Sequence, residues 1–179
     1  MSAAIASLPP VESRDWLSQL FGAHYRRVLM AAYRITGNMA DAEDVAQALF
    51  LRLGRGEAPA MANAGSYLYR AAINGALDLL RQKRNTEPLE AAAGVASDDA
   101  DGAPEERVRS EELQRQLRHS IAELPPRAAE MFALRYLEEM SNGEIAGLMG
   151  TSQAVVAVTL YQSRAKLKRR LTEMQRGMR

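Results

Sequence analysis

No cysteine occurs among the 179 residues. That excludes disulfides and thiolate metal sites, and it makes the reducing cytoplasm the expected location. His24 and His119 are the only histidines, so imidazole metal centres and Ser–His or Cys–His nucleophile pairs have almost no material. Aromatic residues make up 6% of the chain, too few for a large β-sandwich or barrel. No stretch approaches the run of about 18 apolar residues that a membrane span requires. The opening MSAAIASLPPVESRDW lacks the basic start and apolar run of a signal peptide. With no phosphate-cradling glycine loop and no nucleophile–base pair, neither an enzyme, a cofactor nor a small-molecule substrate is expected.

What is present is 47% apolar and 25% charged residues, enough to bury a core and remain soluble. The formal net charge is only +1, but it is unevenly spread. Residues 11–85 carry 10 basic and 7 acidic groups, residues 86–106 carry 7 acidic and no basic groups, and residues 107–179 carry 13 basic and 8 acidic. The last sixteen residues alone hold 7 basic groups against 1 acidic. Two mildly basic blocks flanking an acidic strip suggest polyanion binding by the blocks. The strip, TEPLEAAAGVASDDADGAPEE, has too few large apolar groups to offset its ordering entropy, and reads as a flexible linker.

Both blocks have helical periods and no surviving strand signal. From Asp15 to Ile35 the apolar series Trp16, Leu20, Phe21, Tyr25, Val28, Leu29, Ala32 predicts a helix, stopped by Thr36-Gly37-Asn38. A second begins near Ala40 or Asp41 and ends at Gly54-Arg55-Gly56. A loop over 56–63 and a third helix over Ala64–Lys83 follow. In the second block a helix from Pro104 or Glu105 to Glu123 is expected to turn Val108, Leu113, Leu117 and Ile121 inward. Pro125-Pro126 end it, and Pro126 suits the first turn of a helix over Arg127–Tyr136. The class is therefore all-α: two small helical domains, 11–85 and 107–177, joined by the linker 86–106.

The end of the chain, GTSQAVVAVTLYQSRAKLKRRL, is ambiguous at first. Val155, Val156, Val158 and Thr159 are β-branched and disfavour a helix. At about 100° per residue, however, Val156, Leu160, Ser163, Leu167 and Leu171 share one face. Ser141 is a candidate N-cap for a short helix over 143–149, Gly150-Thr151 form a tight turn, and Ser152 is a candidate N-cap for the long helix. This is the layout of a helix-turn-helix, with Ile145 and Leu148 under the seam. Ala154, Val158, Tyr161, Gln162, Ala165, Lys168 and Arg169 face outward. A helical hairpin with a merely solvated basic end is the competing reading.

AELPPRAAEMFALRYLEEMSNGEIAGLMGTSQAVVAVTLYQSRAKLKRRL resembles region 4 of the extracytoplasmic-function sigma factors of bacterial RNA polymerase. Leu124-Pro125, Leu134-Arg135-Tyr136, Ser141, Glu144-Ile145-Ala146, Gly150, Ser152, Leu160, Arg164, Leu167 and Leu171 carry the likeness. YRRVLMAAYRITGNMADAEDVAQALFLRL and YLYRAAINGALDLLRQKR separately resemble region 2 of that family. Two matches in the right order are far more specific than one.

The resemblance implies a sigma factor that directs promoter-specific initiation. Its implied partners are core RNA polymerase, promoter DNA and an anti-sigma factor. Asp41, Asp44, Gln47, Phe50 and Leu51 would dock on core polymerase, the carboxylates against basic side chains and the apolar groups supplying area. Asp41 and Asp44 could instead simply cap their helix, and a metal site at Asp41, Glu43 and Asp44 lacks further ligands. Asn63, Tyr67, Arg70, Asn74, Asp78, Arg81, Lys83 and Arg84 would engage the minus-ten element, with extruded bases stacked and phosphates held by Arg and Lys. At least one of Tyr67 and Tyr69 is expected in the core, and Asp78 could pair with Arg81 or Arg70. Ser152, Gln153, Ala157, Val158, Thr159, Tyr161, Gln162, Arg164 and Lys168 would face the minus-thirty-five element.

The chain departs from the family pattern in three places. Ala157 and Thr159 stand where Lys and Arg are usual, so the bidentate guanine contact is missing. Ala48 replaces an acidic residue after Gln47, and Gly54 replaces a tryptophan. These departures leave open a second reading, a decoy that binds an anti-sigma factor without reading DNA.

Overall fold

The computed structural model describes residues 11–55, 63–86 and 104–177, and every regular element among them is helical. In order these are α1 (Val11–Thr36), α2 (Met39–Gly54), α3 (Ala64–Thr86), α4 (Pro104–Ala122), α5 (Pro126–Tyr136), α6 (Asn142–Met149) and α7 (Gln153–Gly177). The all-α expectation holds. Most of the acidic strip, 87–103, lies outside the described residues, as do 56–62 of the expected loop. The strip's edges are helical: α3 runs through Thr86, and α4 starts at Pro104.

Helices α1, α2 and α3 pack on one another as a three-helix bundle. Their buried faces are read directly from period. Val28, Ala31, Ala32 and Ile35 come from α1, Ala42, Val45, Ala46, Leu49 and Leu53 from α2, and Leu68, Ala72, Ile73, Ala76, Leu77 and Leu80 from α3. Each fully buried large side chain among them is worth roughly 1.5–3 kcal/mol relative to exposure. Between α1 and α2 the chain reverses through Gly37, at φ +68°. Asn38 then caps α2, its side chain accepting from the Asp41 N–H at 3.2 Å.

In the second block α7 lies against α4, α5 and α6. Val156, Leu160, Ser163 and Leu167 are buried, so the helical seam is real and the strand alternative fails. Ser163 satisfies its hydroxyl by donating to the Thr159 carbonyl at 2.7 Å. One expectation is corrected here. Val108 and Leu113 are exposed, whereas Leu117 is half-buried and Ile121 buried. Only the C-terminal half of α4 is covered by α3, α5 and α7. Trp16 and Phe21 are likewise exposed at the start of α1.

The two blocks are packed together. Helix α3 of the first contacts both α4 and α5 of the second, and the buried apolar residues of the two form one continuous cluster.

Candidate polymerase and nucleic-acid interfaces

Along α2, Asp44, Gln47, Ala48 and Leu51 are all exposed, at spacings of three and four that put them on one face. Leu51 is 61% exposed, a large apolar side chain held in water. Two other expected members of this face lie elsewhere. Phe50 is buried, its ring 4.9 Å from Phe21 and 6.0 Å from Tyr25, both edge or tilted contacts. It is a core residue. Asp41 accepts two hydrogen bonds from the Lys83 ammonium, at 2.7 and 2.9 Å. That pair ties the start of α2 to the end of α3.

The candidate minus-ten residues fall mainly on one side of α3, and this side faces the second block. Arg70 donates to Glu130 from Nε at 2.6 Å and from Nη2 at 3.4 Å, and its Nη1 donates to the Leu148 carbonyl at 3.3 Å. Arg81 donates from Nε to the Ala122 carbonyl at 2.8 Å and from Nη1 to Asp78 at 2.5 Å. Arg84 forms an ion pair with Glu123, which also accepts from Arg170 at 2.9 Å. Of the alternatives for Asp78, the structure chooses Arg81. Arg70, Asn74, Asp78 and Arg81 line a cleft of about 360 Å³ with Pro126, Arg127, Glu130 and Met149 on its far wall. Asn63 is exposed and caps α3, accepting from the Ser66 N–H at 3.0 Å. Tyr67 is half-buried and Tyr69 is core, with Arg27 stacked 4.7 Å from its ring centre. Burial pushes the Tyr69 phenol far up, and a hydrogen bond to Glu138 adds to the effect.

Helices α6 and α7 meet at 109°, within the range of a helix-turn-helix. Ser141 makes a full capping box: its hydroxyl accepts from the Glu144 N–H at 3.2 Å, and the Glu144 carboxylate accepts from the Ser141 N–H at 2.7 Å. That pairing with the Ser141 hydroxyl and backbone holds the Glu144 carboxyl below the usual range. The capping gain is therefore present above the ordinary carboxylate value of about 4.3 and is lost as pH falls below it. Gly150, at φ +60°, makes the left-handed turn that ends α6. Ser152 accepts from the Val155 N–H at 3.3 Å and starts α7. Replacing Ser141 with alanine is expected to cost about 0.5–2 kcal/mol, read as a lower urea midpoint at unchanged slope.

Residues 20–86 match the family described as Sigma-70 region 2, and residues 114–167 match Sigma-70, region 4. The RNA polymerase sigma factor CarQ of Myxococcus xanthus is 30% identical over 165 residues, spanning 91% of this chain and 93% of that protein. The chain belongs to the extracytoplasmic-function sigma factors. The ECF RNA polymerase sigma factor SigW of Bacillus subtilis is 28% identical over 178 residues, spanning 90% of this chain and 91% of its own length. A looser backbone likeness, TM-score 0.49 at 13% identity, links 87% of the chain to 96% of the sigma factor RpoE of Bartonella quintana, crystallised with the anti-sigma factor NepR. The sigma factor described here is thus an alternative one: it binds core RNA polymerase and directs transcription initiation at promoters.

On this sigma factor the outer face of α7 changes character along its length. Val155, Val158 and Tyr161 are 47%, 56% and 69% exposed. Ala157 and Gln162 are also exposed, and Thr159 is half-buried. The next two turns show Arg164, Lys166, Lys168 and Arg169 in the open. Gln153 is turned toward α6, its amide nitrogen 3.1 Å from where a Cβ on Gly143 would lie. No single helix among the described residues is long and apolar enough to cross a membrane.

Sequence reasoning missed the residues that meet across the two blocks: Glu123, Glu130 and Glu138, with Arg34 on α1. Arg34 pairs with Glu138, and that hydrogen bond raises the already high Arg34 value. The partners are 104 residues apart for Arg34–Glu138 and 60 apart for Arg70–Glu130, and no local period connects them.

Proposed function

We propose that this sigma factor divides its work between the two blocks and acts as a non-enzymatic subunit in the cytoplasm. Residues 11–85 dock on core polymerase and open the minus-ten element, residues 107–177 hold the minus-thirty-five element, and the acidic segment 86–106 joins them. Asp44, Gln47 and Leu51 form the docking face, with Asp41 orienting the start of α2 through Lys83 and Phe50 supporting it from the core. Arg70, Asn74, Arg81 and Arg84 supply the minus-ten contacts, with Asn63, Tyr67 and Asp78 beside them. On α7 the apolar first turns touch thymine methyls, and the basic turns that follow hold phosphates. An anti-sigma factor is the expected antagonist.

The observation that carries this reading is the exposed Asp44–Gln47–Leu51 row, on a helix whose opposite face is wholly committed to the core. The test is run-off transcription with purified core polymerase. Asp44→Ala and Arg84→Ala are both expected to depress transcription, by different routes. Asp44→Ala weakens core affinity, whereas Arg84→Ala leaves core affinity intact and impairs promoter opening. Unchanged core affinity in Asp44→Ala would sink the docking assignment. Binding to an anti-sigma factor with no binding to core would favour the decoy reading instead.

A further inference from the structure

We infer that Gly143 of α6 seats the side chain of Gln153, at the start of α7, so that its amide reads an adenine in the minus-thirty-five element. The inference rests on the proposed placement of α7 against that element. Gln153 is the first residue of α7 and is exposed. Helical side chains lean toward the N-terminus of their own helix, so this one leans back across the turn toward α6. There it meets Gly143. A Cβ on that glycine would lie 3.1 Å from Gln153 Nε2 and 3.7 Å from its Cδ. The Ser141 hydroxyl stands 3.9 Å from the same point, and the capping box with Glu144 holds it there. The amide thus rests on bare backbone at the start of α6.

Helix α6 contains two glycines, Gly143 and Gly147, and each weakens a helix relative to alanine. Their surroundings differ. A Cβ on Gly147 would meet nothing within 4 Å, so no neighbour there calls for a glycine. A Cβ on Gly143 would sit closer to the Gln153 amide than ordinary van der Waals contact, and the amide would have to move. Among the described residues that amide has no hydrogen-bond partner, so its oxygen is free to accept and its nitrogen to donate. Adenine presents the matching pair in the major groove, an N6 amino donor beside the N7 acceptor. The first residues of the second helix are the ones that reach base edges in a helix-turn-helix. Gln153 is the one amide side chain in the first two turns of α7.

Gly143 is on this account a positioning residue, acting on base preference through Gln153. The experiment is selection by the holoenzyme from promoter fragments randomised across the minus-thirty-five element. Wild type is expected to prefer adenine at one position by roughly five- to 150-fold, the range a good bidentate pair provides. Gln153→Ala abolishes that preference. Gly143→Ala removes most of it at the same position and leaves the other positions as they were. Gly147→Ala, the same substitution one turn later, changes no position. In a Gln153→Ala background Gly143→Ala has no further effect, because its route runs through the amide. A glycine needed only for folding would weaken all sequences alike, and would do so in either background.

Full adenine preference in Gly143→Ala overturns the seat, as does an equal loss in Gly147→Ala. Unchanged preference in Gln153→Ala overturns the adenine contact. The placement of α7 is tested separately by Lys168→Ala, which should weaken binding to all promoter sequences about equally and lower the salt slope by about one. If Lys168→Ala alters neither, α7 does not lie on the element and the inference falls with that reading. If Lys168→Ala behaves as expected and Gln153→Ala changes nothing, the inference alone falls.

Discussion

Replacing Phe50 with alanine is expected to cost the folded protein about 3–5 kcal/mol, while replacing its neighbour Leu51 leaves the melting temperature where it was. Phe50 is buried against Phe21 and Tyr25, so its loss opens a cavity between α1 and α2 that backbone relaxation fills only in part. Leu51 projects from the opposite face and touches water. Its replacement by alanine is a surface change, and such changes usually fall within about 0.5 kcal/mol of neutral. The order reverses when core polymerase is added. A central apolar anchor at an interface is commonly worth 2 kcal/mol or more, so Leu51→Ala should bind core about thirtyfold more weakly. Thermal melts of the free protein and affinity measurements against purified core separate the two effects. A destabilised Leu51→Ala, or one with full core affinity, would refute the docking face.

The second large effect is a gain. Thr159→Arg places a guanidinium on α7 where the chain has a half-buried threonine and where the family usually has a basic residue. A bidentate arginine contact to guanine discriminates by about 1–3 kcal/mol. Selection of minus-thirty-five sequences with the holoenzyme should therefore shift toward a guanine at one position, with preference rising roughly five- to 150-fold. Ala157→Lys, a point charge in the same region, is expected to act less selectively and to steepen the salt dependence of binding by about one phosphate contact. If neither change alters sequence preference or salt slope, the first turns of α7 do not face the groove.

The helices and most of their buried faces were legible in the sequence because period reports which side of a helix is apolar. The seam from Val156 to Leu167 overrode the β-branched residues for that reason: burial of one face outweighs a few tenths of a kilocalorie of propensity per residue. Period does not report how much of a helix is covered. Val108 and Leu113 have the same spacing as Ile121, yet only the later turns of α4 have neighbours, so the first two stay in water. The candidate sites divide along the same line. Asp44, Gln47 and Leu51 lie on an exposed face that helical geometry alone predicts. Asp41 and Phe50 share their helix but not that face, and Lys83 and the Phe21–Tyr25 rings claim them. The pairing of Arg70 with Glu130 was out of reach, since it depends on how two blocks dock rather than on any local pattern.

The valines of α7 have one more consequence. A valine in a helix holds a single side-chain rotamer about nine times in ten, so Val155 and Val158 present almost the same contour before and after anything meets them. A lysine or arginine there would lose about 1.5–2 kcal/mol of rotamer freedom on being fixed against a partner. The start of this helix has thus exchanged the long reach of flexible cations for a surface already shaped, and its complementarity is set by the fold instead of being acquired on contact.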